Sequence, residues 1–530
     1  MLTPFAPALA FAWSLNSFER SVSDSLEVLF TAAVLGQDTI PHDFLISLTG
    51  RTTLPRQLSR RAFVVSAAAG VGSGMFSRSS TALGALLAHR ENSPAPVRLQ
   101  AISRVLEISG KPAKVLGLLQ PNGQQGIVSS VDRPFDVILE NKLPVETAIH
   151  WHGLQPPNNE DGVPGLTQPF LAPGTSTRFD FPLRPAGTHW MHSHAGLQEA
   201  SLLAAPLIVH DPSEKAADEQ EIILLLGDFS FTPPEEIYAK LRKPAPGAMT
   251  KMDLAQPDVN DVNYDAYLAN DRTLDDPEVV RVEKGGRVRL RIINGSSGTN
   301  YFIDLGGLSG ELIATDGLPV NPVRASRFSL AIAQRADIRL QLPPAGAFPI
   351  LALREGAREQ TGIILATMGA TIQRLPTKNE AEQGVLTLDL ESRLAATAPL
   401  TVKPVDHTYE LRLTGNMMRY EWSINGVVFD VNHPGAQQAQ VRVKLGERVA
   451  LKFVNGTPMA HPMHLHGHSF QVVEVNGQAM KGALRDTVLL PGRSTVTVVF
   501  DANNPGIWYV HCHVLWHLAA GMATLVQYDV

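Results

Sequence analysis

The sequence predicts an all-β chain built from three Greek-key β-sandwich domains, and three observations carry that reading. An alternating strand ending in asparagine occurs three times, as Phe135–Asn141, Val288–Asn294 and Val449–Asn455. Strand-like alternation bounded by glycine and proline dominates a chain with 42 Gly and 38 Pro, and long helical periodicity is absent. Finally, 530 residues exceed what one hydrophobic core organises.

The three asparagine strands recur at intervals of roughly 150 to 160 residues, the size of one sandwich domain. The first and third copies agree further along. Nine residues after each asparagine comes His-x-His-Gly, as His150-Trp151-His152-Gly153 and His464-Leu465-His466-Gly467. The turns Pro173-Gly174 and Pro491-Gly492 follow, and then Gly187 to His194 aligns with Gly506 to His513. The middle copy keeps the scaffold but reads Ile303-Asp304-Leu305-Gly306 where the others carry histidine, so it is expected to bind no metal. These repeats place domain boundaries at 93–212, 213–378 and 379–530, with a Pro-rich, weakly periodic excursion of the second domain from Thr232 to Asp276.

Composition narrows the function. A hydrophobic fraction of 44% and a charged fraction of 18% describe an ordinary globular chain. The net charge of -6 and the lack of any basic run exclude a nucleic-acid surface. A single cysteine, Cys512, excludes an internal disulfide. Near the start, Ser59-Arg60-Arg61-Ala62-Phe63-Val64 resembles a twin-arginine export motif. The small apolar stretch Val64 to Phe76 follows it, too short to anchor in a bilayer. Residues 51–92 are therefore expected to be a signal region and 1–50 an upstream extension from a misassigned start. The mature chain is expected to lack an integral membrane anchor and to reach the periplasm or the exterior.

Of 17 histidines, ten fall in four short motifs: His150 and His152; His192 and His194; His461, His464 and His466; His511, His513 and His517. In a strand, His-x-His puts both imidazoles on one face. Four such pairs can converge eight imidazoles between two domains. Cys512, between His511 and His513, points to the opposite face of its strand. With His461, His517 and Met522 as a weak axial thioether it forms the two-histidine, one-cysteine donor set of a blue-copper site. Domain one has Ser193 at the equivalent position and cannot make that set.

The four motifs together resemble those of the multicopper oxidases, the family of laccases, ascorbate oxidase and the bacterial copper-resistance oxidases, from about residue 100 to the C-terminus. The resemblance implies three cupredoxin-like domains and four copper ions. It assigns His461, Cys512, His517 and weakly Met522 to a type 1 copper, and His150 and His464 to a type 2 copper. It gives His152, His192, His194, His466, His511 and His513 to a binuclear type 3 pair. Asp161, in Asn159-Glu160-Asp161-Gly162, resembles the family's proton-supplying acid near type 2. Its alternative is an Asx turn before glycine. The second acid that many members carry just before the last motif histidine is missing here, where Val514-Leu515-Trp516 stands. His189 and His468 lie beside the motifs at structural positions.

The implied activity is laccase-like: one-electron oxidation of a phenolic or aromatic reductant coupled to reduction of O2 to water, by a monomer. The alternative within enzymes is a cuprous-ion or other metal-ion oxidase for copper tolerance; Met459 and Met463 flank His461, but the 12 methionines are scattered and a pair of this kind is more often core. A type 1 electron carrier would leave eight histidines without a role.

Overall fold

The computed structural model describes residues 95–243 and 259–529. The expectations for 1–50 and for the 51–92 signal region lie outside the described residues. Six sheets form three sandwiches. Two four-stranded sheets lie between Val97 and His210, sheets of six and five strands between Gln220 and Thr367, and sheets of seven and five between His407 and Tyr528. The first strand of each sandwich pairs in parallel with its asparagine strand: Val97–Ile108 with Pro134–Asn141, Gln220–Phe229 with Arg287–Asn294, and His407–Asn416 with Arg448–Asn455. The repeat read from the sequence is thus a repeat of topology.

The asparagine recurs because it ties its strand end to two loops. Asn141 Nδ2 donates to the carbonyls of Val145 and Leu171, Asn294 to those of Thr299 and Leu330, and Asn455 to those of Met459 and Leu490. Each Oδ1 accepts a backbone N–H two residues on, from Leu143, Ser296 and Thr457. A buried carboxamide satisfying three backbone groups leaves little room for another residue type.

Alternation fills each sandwich. Phe135, Leu139, Phe179 and Phe181 pack under Trp151 in the first. In the second, Ile303 and Leu305 stand where the other copies carry His-x-His, and both are buried in the apolar core. The third core includes Trp422, Phe453 and Trp508 together with Cys512 and Met522. Within the excursion expected over Thr232 to Asp276, Pro234–Leu241 is a helix, started by proline in its first turn and by Glu235 and Glu236 near its positive end. Ala266–Ala269 pairs with Gln220–Phe229 and extends the six-stranded sheet. Among the described residues no helix is long and apolar enough to cross a membrane.

Candidate metal centre

Strand pairing brings the motif histidines together. In the third domain Met463 faces Cys512 and His464 faces His511 across an antiparallel pair. In the first, Ile149 faces Ser193 and His150 faces His192. Ser193 therefore occupies the register position of Cys512, where its hydroxyl donates to Gln198 Oε1 at 2.9 Å.

The side chains gather into sets whose donor atoms lie within 4.8 Å of one another: His152, His192 and His513; His194, His466 and His511; His150, His152 and His464; and, apart from these, His461, Cys512 and His517. Each of the first two trios draws histidines from both the first and third domains. All ten histidines are buried except His194, which is half-buried.

The hydrogen bonds leave lone pairs pointing inward. His466 donates from Nδ1 to Asp161 Oδ2 at 2.8 Å and His511 from Nδ1 to the Cys512 carbonyl at 3.0 Å. Their Nε2 atoms consequently carry lone pairs, and these sit 3.0 Å apart. Two lone pairs at that distance repel unless a cation lies between or beside them. Nε2 of His192 and Nε2 of His513 are 3.3 Å apart in the same way. His150 and His464 donate from Nδ1 to the carbonyls of Asp161 and Asp486, and their Nε2 atoms have no protein partner. His152 is reversed: Nε2 lies 3.1 Å from Asp486 Oδ1, leaving Nδ1 free.

At the separate set, Cys512 Sγ is 3.6 Å from Nδ1 of His461 and 3.5 Å from Nδ1 of His517, and those nitrogens are 3.1 Å apart. Thr457 Oγ1 holds Nε2 of His461 at 2.8 Å. Met522 is buried in the same cluster, its carbonyl accepting from the Cys512 N–H and its N–H donating to the His517 carbonyl. Gly521 before it, at φ 106°, has no room for a Cβ, which would fall 2.9 Å from the Trp422 carbonyl.

Burial, reinforced by neighbouring imidazoles, holds His192, His194, His461, His466, His511 and His513 well below the ordinary imidazole range, so they are neutral. Burial also pushes the Cys512 thiol up. A neutral imidazole cage with a buried thiol is a poor home for protons and a good one for a soft or borderline cation that lowers the thiol's cost of ionising. The residues fit copper.

Asp161 is fully buried, with Oδ1 3.3 Å from His150 Nδ1 and Oδ2 on His466. The carboxylate forms no Asx turn, since the Val163 N–H donates to Thr167 Oγ1 instead. The Asp161 backbone N–H closes the short turn Asn158–Glu160, and Gly162 after it, at φ 90°, lies against the Ile149 carbonyl. Three other acids were not found in the sequence. Asp486 contacts His152 and is clamped by Arg335 Nη1 at 2.7 Å. Burial raises the Asp486 carboxyl, but Arg335 and His152 outweigh it and hold it well below the usual range. Glu199 Oε2 lies 2.6 Å from His192 Nδ1 and Oε1 3.8 Å from His513 Nδ1. Asp261 Oδ2 is 2.8 Å from His517 Nε2, off the line of a hydrogen bond. None stands at a fixed spacing from a histidine motif. His189 and His468 do play structural parts: His189 Nε2 donates to the Pro185 carbonyl, and His468 bridges the His466 carbonyl and the Tyr528 hydroxyl.

Profiles described as Multicopper oxidase match this chain at residues 125–214, 220–372 and 403–530. The chain is 33% identical over 407 residues to the multicopper oxidase MmcO of Mycobacterium tuberculosis, covering 74% of this chain and 79% of that protein. It is 27% identical over 515 residues to a copper resistance protein A homolog of Pseudomonas syringae pv. tomato, covering 74% and 85%. Its fold is similar to that of the laccase from Botrytis aclada, with a TM-score of 0.68 at 23% identity over 82% of this chain and 89% of that one.

Proposed function

The chain belongs to the multicopper oxidase family, copper-dependent oxidoreductases that pass electrons from a reductant to O2, and from that premise we propose a laccase-like enzyme with four copper ions. In this reading His461, Cys512, His517 and the weak donor Met522 hold type 1 copper. His150 and His464 hold type 2. The trios His152, His192, His513 and His194, His466, His511 each hold one of the type 3 pair.

The observation that carries the reading is the run His511-Cys512-His513. Its cysteine belongs to one donor set and its two histidines to the two trios, so the backbone joins all three by covalent bonds. Bound copper supplies one-electron redox chemistry that couples single-electron donors to the four-electron reduction of O2 to two waters. The protein covers His152, His192 and His513 with the fully buried ring of Trp190 and fixes the tautomers of His150, His152, His464 and His466 through Asp161, Asp486 and backbone carbonyls. Asp161, bonded to ligands of two sets, is placed to hold a proton for the reduced oxygen.

A phenolic or aromatic reductant is the preferred substrate class. Oxidation of a soft metal ion such as Cu(I) is the second reading, favoured by the likeness to a copper resistance protein. Against it, Met459 and Met463 are both buried in the apolar core rather than offered to solvent. A monomer suffices, since the first and third domains of one chain complete both trios. The segment around Arg60 and Arg61 is proposed to direct export of the folded enzyme. Lys at both positions should leave the protein in the cytoplasmic fraction, and unimpaired export would refute that assignment.

The deciding experiment loads the full chain with copper and records visible absorption and O2 uptake with hydroquinone. An intense blue band and O2 consumption are expected, the band lost in Cys512→Ser. A copper-replete protein without a blue band would sink the type 1 assignment, and a blue protein that consumes no O2 with hydroquinone or Cu(I) would favour an electron carrier.

A further inference from the structure

Where does the reductant's electron enter? His461 and His517 are fully buried. Neither the 560 Å³ cleft where residues of all three domains meet, with His194 on its wall, nor the 520 Å³ cleft beside Pro458 and Ala460 has His461 or His517 among its described lining residues. The outer edge of His461 is closed by Thr457, and that of His517 by Asp261.

Beyond Asp261 stands Tyr420. Its hydroxyl donates to Asp261 Oδ2 at 2.6 Å, the same oxygen that approaches His517 Nε2. Its ring centroid is 6.4 Å from that of His517 and 6.1 Å from Trp422, which is itself 4.2 Å from His517. Tyr420 is buried, yet its backbone takes φ 49°. A bulky side chain in the left-handed region persists only where its surroundings impose it, and such strain concentrates at functional positions. The next ring outward is Tyr238, at 6.5 Å. Tyr238 lines the 560 Å³ cleft with Arg242, Leu518 and Ala519; its hydroxyl donates to the Ala519 carbonyl, and the Arg242 guanidinium lies over its ring. A line of aromatic rings thus runs from an open cleft to the closed edge of His517, with a carboxylate at the phenol nearest the histidine.

We propose that Tyr420 is a redox relay, through which donors held against Tyr238 deliver electrons to His517 without touching it. This rests on the copper assignment above. The oxidant is the type 1 site, itself re-oxidised at the expense of O2. In each passage Tyr420 loses one electron toward His517, and its phenolic proton shifts along the existing hydrogen bond to Asp261. The donor's electron, arriving by way of Tyr238, restores the phenol as the proton returns. The relay gains and loses nothing, and a phenolic donor sheds its own proton to water in the cleft. Trp422 offers a parallel last step. Burial and the nearby Asp261 charge keep the Tyr420 phenol protonated at rest, as a hydrogen donor in this bond must be.

The test uses the copper-loaded full chain under anaerobic conditions. Hydroquinone is mixed with wild type, Tyr420→Phe and Tyr238→Leu, and bleaching of the blue band is followed to its limiting rate at saturating donor. The reduction potential and the blue spectrum of each are measured alongside. Both variants should bleach roughly tenfold slower or more at the limiting rate, with potential and spectrum unchanged. Bleaching of Tyr420→Phe within about twofold of wild type overturns the relay, as does a slowing fully accounted for by a shifted potential. If Tyr420→Phe fails to take up copper, Tyr238→Leu decides by the same criteria. A wild type that shows no blue band would instead refute the copper assignment on which the relay depends.

Discussion

Arg335, from the second domain, forks onto the carboxylate of Asp486, from the third, and Asp486 in turn lies 3.1 Å from Nε2 of His152 in the first. The middle domain, which has no His-x-His of its own, thereby supplies the cation that holds a cluster histidine in place. Arg335 and Asp486 are both buried, and Arg485 and Asp316 extend the ion network around them. Removing one partner of a buried pair leaves an uncompensated charge, at about 3–5 kcal/mol. Arg335→Met should therefore lower the melting temperature and reduce copper bound per chain at the histidine cluster while the blue band survives. Wild-type melting and copper content in that variant would show that the pair is dispensable.

Asp161 sits where one carboxylate meets two donor sets, with Oδ2 on His466 and Oδ1 near His150. Asp161→Asn keeps the shape and removes the charge and the proton-holding capacity. Turnover with O2 should fall roughly 10- to 100-fold, the range seen when a hydrogen-bond partner of a metal ligand is lost. Anaerobic bleaching of the blue band should be unaffected, because Asp161 contacts none of His461, Cys512 and His517. Equal losses in both measurements would mean the substitution acts on the whole fold.

How much of this was legible beforehand depends on how local each feature is. The strand ending at Asn455 and the motif from His461 to His466 lie in one stretch of chain, and period-two alternation fixes which side chains share a face. The shared faces of the four His-x-His pairs, and the opposite face of Cys512, could therefore be read from spacing, whereas the division of the ten histidines among copper sites comes from the family resemblance. Asp486, Glu199 and Asp261 could not be read from spacing. Glu199 reaches His192 and His513 from a short 3-10 turn at Gln198–Ser201, and Asp261 reaches His517 from the second domain's excursion. The contacts of Asp486 with His152, Glu199 with His513 and Asp261 with His517 form only where domains meet, and Glu199 reaches His192 within its own domain through a turn that strand periodicity does not describe. Asp161 is intermediate: its place after the first motif was visible, whereas its bond to His466, from the other end of the chain, was not.

Met522 is buried beside Cys512 and tied to it through the backbone. A thioether donor stabilises the oxidised, more electron-poor metal, so its loss should raise the reduction potential. Met522→Leu, close in volume, should keep the blue band and shift the potential upward in a redox titration. An unchanged potential would make Met522 a packing residue only.

Asn455 is the third repeat's loop tie, donating to the carbonyls of Met459, Leu490 and Pro491. Its Oδ1 also accepts from Thr457, whose hydroxyl holds His461. Asn455→Ala strands buried carbonyls at about 1–3 kcal/mol and frees the loop that positions His461. A lower melting temperature accompanied by a shifted blue spectrum is expected. A lower melting temperature with an unshifted spectrum would separate the tie from the metal site.

His189 gives the fold a pH dependence whose sign can be worked out. Burial, with the Arg335 charge adding to it, lowers this imidazole to about 3 from an ordinary value of 6.5. Between those values the unfolded chain binds a proton that the folded chain refuses. Its contribution to stability is thus complete above pH 6.5 and erodes as pH falls toward 3, by up to about 1.4 kcal/mol per pH unit. Gln at this position keeps an N–H for the Pro185 carbonyl and takes up no proton. Compared between about pH 7 and pH 5, the melting temperature of His189→Gln should fall less than that of wild type. Parallel declines in the two proteins would show that His189 accepts its proton in the folded state as readily as in the unfolded one.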